Sequence, residues 1–132
     1  MREPFHTNAE RLIELCICGH VQGFLASHTI LNVFYIIRKD YSIEKRKEIC
    51  LMLCKKFNII DINRTMIVES LQNNDWDDLE DGLQMHCAMV EGLDYIITRD
   101  INGFKSSKIQ VLSPEVFLNI FENETDNKQI VL

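Results

Sequence analysis

No apolar run in this sequence approaches the roughly 20 residues that a membrane-spanning helix needs. The opening, MREPFHTNAERL, has no apolar middle of the kind a secretory signal carries. A soluble, cytoplasmic protein with no membrane association is the expectation. No internal repeat, linker or low-complexity segment interrupts the 132 residues, which suit one domain with one core. There is no Cys-x-x-Cys pair, and His6, His20, His28 and His86 show no ligand spacing, which argues against a structural zinc. Five cysteines, an odd number without a secretory signal, point to reduced thiols. Cys50 and Cys54 share a helix face at i, i+4 spacing, so a thiol or zinc site on that pair stands as a rival reading. The net charge of −6 argues against broad, sequence-blind binding to nucleic acid.

What the sequence has in excess is local acid. Five carboxylates fall within seven residues: Asp75, Asp77, Asp78, Glu80 and Asp81. A sixth, Asp100, ends the strand-like run DYIITRD. Like charges so close repel one another and seek either water or cations, and magnesium prefers oxygen ligands. Part of the cluster has a structural explanation. Acids in the first turn of a helix gain about 0.3–1 kcal/mol each from the macrodipole, and Asp77 with Glu80 has the spacing of a capping box. Five acids exceed what a cap needs. Asp77 and Glu80 are therefore assigned to capping and solvent, and Asp81, with Asp78 beside it, to a divalent-metal pocket shared with Asp100. Lys45, Arg46, Lys47, Lys55 and Lys56 read as solvated helix faces, whereas Arg99, Lys105 and Lys108 flank Asp100 and suit phosphate.

Hydrophobic spacing divides the chain into alternating elements. Thr7 or Asn8 caps a helix over about 9–18, stopped at Gly19, and VQGFLAS is a strand. Ser27 caps a helix to about Lys39, whose stripe of Ile30, Val33, Phe34 and Ile37 predicts deep burial. Ser42 starts the next helix, FNIIDI is a strand, and 64–72 is helical. The acidic run opens a helix to about Val90, and Gly92 ends it. YIIT and IQVL are strands separated by the INGF turn, and Ser113-Pro114 starts a last helix. Strands separated by helices predict an α/β fold: a parallel sheet, flanked by helices, with right-handed crossovers. Residues 1–122 form the domain and 123–132 a polar tail. In such sheets sites form beyond the carboxyl ends of the strands. Asp100 lies there, and the acidic helix, crossing back to feed Asp100's strand, starts on the same side. Asp81 and Asp100 are therefore expected to converge.

REPF, ASHTILNVFYIIRK, DDLEDGLQ, GLDYIITRD with NGF, and VLSPEVFL together resemble the PIN-domain family, the magnesium-dependent ribonuclease fold of many bacterial toxin–antitoxin pairs, VapC-like toxins among them. The resemblance covers nearly the whole chain in the family's order. It implies a three-layer sandwich and an Mg²⁺- or Mn²⁺-dependent endoribonuclease. Asp81 and Asp100 would hold the metal with Asp78, and Asn32 would stand at a further polar site position. Thr98, Arg99 and Lys105 would attend the RNA substrate. It also implies a homodimer and an antitoxin partner. A catalytically inactive PIN-like binding module is the alternative.

One departure follows from the same resemblance. Family members open with an apolar strand ending in an aspartate, set mid-sheet between the strands matching VQGFLAS and DYIIT. Here the match begins at Met1-Arg2-Glu3-Pro4-Phe5, and His6-Thr7-Asn8 imitates only the Thr-Asn pair that follows that aspartate. An empty central slot would leave buried backbone groups unpaired at about 1–3 kcal/mol each. Three resolutions are open. The natural chain is longer at its start. Another segment, such as Gln129 to Leu132 or a partner chain, fills the gap. Or the fragment is unstable and inactive.

Overall fold

The computed structural model describes residues 5–123 and 128–132. Residues 2–4 of the REPF match and 124–127 of the ending lie outside the described residues. The elements run α1 (Phe5–Ile17), β1 (Gln22–Ala26), α2 (Ser27–Ile36), α3 (Ile43–Lys56), β2 (Asn58–Ile60) and α4 (Arg64–Gln72). They continue with α5 (Leu79–Val90), β3 (Tyr95–Ile97), β4 (Gln110–Leu112), α6 (Pro114–Asn123) and β5 (Gln129–Val131). Short 3-10 turns extend α2 through Ile37–Lys39 and follow β3 at Ile101–Phe104.

Side-chain caps fix several helix starts by satisfying otherwise orphaned amides. Ser42 Oγ accepts from the Lys45 N–H at 3.2 Å, Asn63 Oδ1 from Met66 at 3.0 Å, and Ser113 Oγ from Val116 at 3.2 Å. Gly19 and Gly92, at φ +84° and +63°, turn the chain out of α1 and α5. Two expected caps are corrected. Helix α1 begins at Phe5, so Thr7 and Asn8 lie within it. Ser27 is already inside α2, and its hydroxyl accepts from the Ile62 N–H at 3.1 Å, tying the start of α2 to the exit of β2.

All five strands are parallel, in the order β2-β1-β5-β3-β4. The central slot is thus held by the last strand in the sequence. Ile130 pairs with Gly23 and Tyr95, and Val131 with Phe24 and Ile96. The Gln22 and Asp94 N–H groups donate to the carbonyls of Lys128 and Gln129, both at 2.9 Å. Asp94 Oδ2 accepts from the Gln129 N–H at 2.9 Å, and the Gln129 side-chain amide donates to Gln22 Oε1 at 2.8 Å. Ile130 and Val131 are fully buried, as both faces of a central parallel strand require. The reading of 123–132 as a tail apart from the domain does not describe residues 129–131.

Alternate strand residues feed opposite layers. Leu25, Ile97 and Ile130 join Leu12, Cys16 and Phe117 in a core beneath α1 and α6. Ala26, Ile96 and Val131 join Leu83, Cys87 and Ala88 in a second core beneath α4 and α5. The result is a three-layer α/β fold. The expected deep burial of α2 is not found, for none of its residues is buried. It packs on α3 and β1, leaving Leu31, Tyr35 and Ile36 exposed. Among the described residues no helix is long and apolar enough to cross a membrane.

Candidate functional site

Asp81 lies in the first turn of α5, and Asp100 lies just beyond β3, at the start of the 3-10 turn Ile101–Phe104. The parallel crossover from α5 to β3 sets both at the carboxyl rim of the sheet. They meet beside Gly103. A Cβ placed on that glycine would stand 2.7 Å from Asp81 Oδ2 and 3.4 Å from Asp100 Oδ2. Only a residue without a side chain leaves the space that both carboxylates enter. Around them opens a cleft of about 530 Å³, lined among others by Asp75, Asp77, Asp78, Asn102 and Lys105.

The chemistry of Asp81 reflects this crowding. Burial, then the charges of Asp78, Asp100 and Glu80, push its carboxyl above the ordinary carboxylate range. Each of these causes penalises a second negative charge in the cleft. A bound cation would remove the penalty. Among the described residues no group of three or more His, Cys, Asp or Glu has the arrangement of a metal cage. Two convergent carboxylates in an open cleft nonetheless fit Mg²⁺, which binds through one or two carboxylates while keeping waters and phosphate oxygens.

The remaining expected site residues divide. Asp78, not Asp77, is the cap of α5: its Oδ1 accepts from the N–H groups of Glu80 at 2.9 Å and Asp81 at 3.3 Å. It lines the cleft from that position, as Asp77 does. Thr98 Oγ1 accepts from the Asp100 N–H at 3.1 Å and so fixes the turn that carries this acid. Asn32 does not line the cleft; its amide donates to Glu80 Oε2 at 3.1 Å, linking α2 to α5. Arg99 is directed elsewhere, into a small depression with Asn8, Ser113 and Glu115. Lys105 is in the cleft, and Lys108 lines a neighbouring one. Cys50 is buried and Cys54 exposed, both as free thiols bordering an apolar groove with Ile30 and Phe34. Burial pushes the Cys16 thiol up to about 12 and the Cys87 thiol to about 11, as expected of inert core cysteines.

Sequence reasoning missed Gly103 and Trp76. The NGF turn after Asp100 was the available signal for the glycine. Trp76 is set by its indole N–H, which donates to the Ser70 carbonyl at 2.9 Å, and by Gly82, where any Cβ would meet the ring at 2.6 Å.

A parallel sheet between two helical layers, with an acidic cleft at its carboxyl rim, defines the class: a three-layer α/β protein with two carboxylates converging at the edge of its sheet. The family model described as PIN domain matches residues 1–102, and the chain belongs to the PIN-domain family. No curated protein and no solved structure matches it. Family membership gives a nuclease-type function, and PIN domains generally use divalent metal ions.

Proposed function

We propose that this PIN domain is an Mg²⁺- or Mn²⁺-dependent endoribonuclease, acting as the toxin of a toxin–antitoxin pair. The observation that carries the reading is the approach of Asp81 and Asp100 to one point beside Gly103. These two carboxylates hold the metal, with Asp78 at the edge of the same cleft. When bound, the metal supplies an activated water and offsets charge growing on the scissile phosphate. Thr98 holds the Asp100 turn, and Lys105 draws the RNA backbone toward an otherwise acidic cleft. Asn32 acts by orienting Glu80 rather than by touching the substrate. An antitoxin, and a second copy of the chain, are the protein partners in this reading. The uncovered apolar face of α2 supports a protein contact there.

Labelled RNA incubated with Mg²⁺ tests the proposal. Wild type is expected to cleave, and Asp81→Asn and Asp100→Asn to lose cleavage. Equal cleavage by all three removes both acids from the mechanism. The second reading is a PIN-like module that binds without cutting. Manganese calorimetry separates the two, since the module reading requires no metal site.

A further inference from the structure

A second cavity, of about 100 Å³, lies beside the acidic cleft. Asp75, Trp76 and Ser106 border both spaces, so a strand whose phosphate sits at Asp81 and Asp100 has this cavity within its reach. Its floor is unusual. Ser70 is 3% exposed and its Oγ has no hydrogen-bond partner, although burying an unpaired hydroxyl costs free energy. Glu69 and His86 stand together at the side, Glu69 Oε2 lying 3.5 Å from His86 Nε2. Met85, Met89 and Trp76 supply soft apolar walls.

We propose that this cavity binds a nucleobase splayed out from the RNA strand. The inference rests on the nuclease reading for its ligand class and deepens it. Single-stranded RNA is recognised mainly through unstacked bases that lie on apolar or aromatic surfaces and present their edges to polar groups. The cavity has both parts. Its need for such contacts also follows from charge: a chain of net charge −6 with an acidic cleft gains little from phosphate alone. The Ser70 hydroxyl donates or accepts, and the Glu69 carboxylate accepts from an exocyclic amino group. Adenine, cytosine and guanine carry that group, whereas uracil offers only its ring N3–H, which is flanked by two carbonyl oxygens that repel the carboxylate. The cavity therefore selects an amino-bearing base near the cut.

Trp76 is the only tryptophan of the chain and borders the cavity, so its fluorescence reports occupancy. The full chain, without metal, is titrated with adenosine, cytidine, guanosine and uridine. Saturable quenching by at least one amino-bearing nucleoside, and less by uridine, is expected. Ser70→Ala and Glu69→Gln should each weaken it by about threefold to tenfold, the worth of one hydrogen bond. Ser70→Ala deletes a hydroxyl that bonds to nothing in the fold, so it tests binding without threatening folding. The same variants should lose base preference at the cut in magnesium-dependent cleavage of a mixed-sequence RNA. Equal quenching by all four nucleosides, no quenching, or unchanged binding in both variants overturns the proposal. Selective quenching without any cleavage would sink the nuclease reading and leave the pocket standing. Acid-dependent cleavage with no base preference would do the reverse.

Discussion

Helices α5 and α2 are both apolar segments beside the same rim, and they meet opposite fates. Helix α5 lies across β3 and β5 and buries Gly82, Leu83, Met85, Cys87 and Ala88. Helix α2 buries none of its residues, and Leu31, Tyr35 and Ile36 are 72%, 62% and 66% exposed. The difference separates two jobs. The helix that carries Asp81 is clamped to the centre of the sheet, where a carboxylate can be held in place. The helix that carries Asn32 reaches that site through the bond to Glu80 and keeps its apolar side open. Periodicity shows which face seeks cover, and it does not show whether the same chain supplies it.

The largest test of this contrast removes what α5 stands on. Deleting residues 128–132 opens the central slot, strips two fully buried side chains and leaves β1 and β3 without the strand that pairs with both. The expected cost is comparable to a whole domain stability of about 5–15 kcal/mol. A thermal melt followed by circular dichroism should lose its cooperative transition; an unchanged melt would show that β5 does not hold the sheet.

Within the helices themselves, Leu83→Ala in α5 should cost about 2–5 kcal/mol in urea unfolding. Capping comes next. Asp78→Ala should cost about 0.5–2 kcal/mol, whereas Asp77→Ala should cost clearly less, because only Asp78 accepts the first-turn amides. Leu31→Ala on α2 should shift the unfolding of the isolated chain by no more than about 0.5 kcal/mol. A loss at Leu31 as large as that at Leu83 would erase the contrast.

A pH series sharpens the same point at Asp81. Its carboxyl titrates above the ordinary value of 3.8 in the folded protein. At low pH it is protonated in both states and costs nothing. As the pH rises from about 3.8 through the raised value, the unfolded state loses its proton first, so ionised Asp81 subtracts stability. Asp81→Asn should therefore melt higher than wild type without metal at neutral pH, and the gap should close in acid. Added Mn²⁺ should raise wild type and not the variant. A gap that is constant with pH would remove the crowding of charges as its cause.

Much of this arrangement was legible in the sequence. The element order, the 64–72 helix and the stops at Gly19 and Gly92 follow from spacing and turn chemistry. The meeting of Asp81 with Asp100 followed from parallel topology alone. The position of Arg99 was not readable: its place next to Asp100 suggested a role at phosphate, whereas the chain bends after β3 and sets it in the depression with Asn8, Ser113 and Glu115. Other features were not readable either. A run as short as QIVL fits any vacant edge or slot, and only the sheet's own geometry selects the centre. Among adjacent acids at 77 and 78, one residue of helix register decides which becomes the cap. The cavity at Ser70 joins α4, α5 and the loop after β3, and no local pattern announces it.

The central claim is that Asp81 and Asp100 form one cation site. Calorimetric titration of Mn²⁺ into wild type, Asp81→Asn and Asp100→Asn tests it most directly. Loss of even an outer-shell partner of a metal costs about 10–100-fold in affinity, so wild type should show one site and each variant should bind at least about tenfold more weakly. Equal affinity in all three proteins would contradict the account.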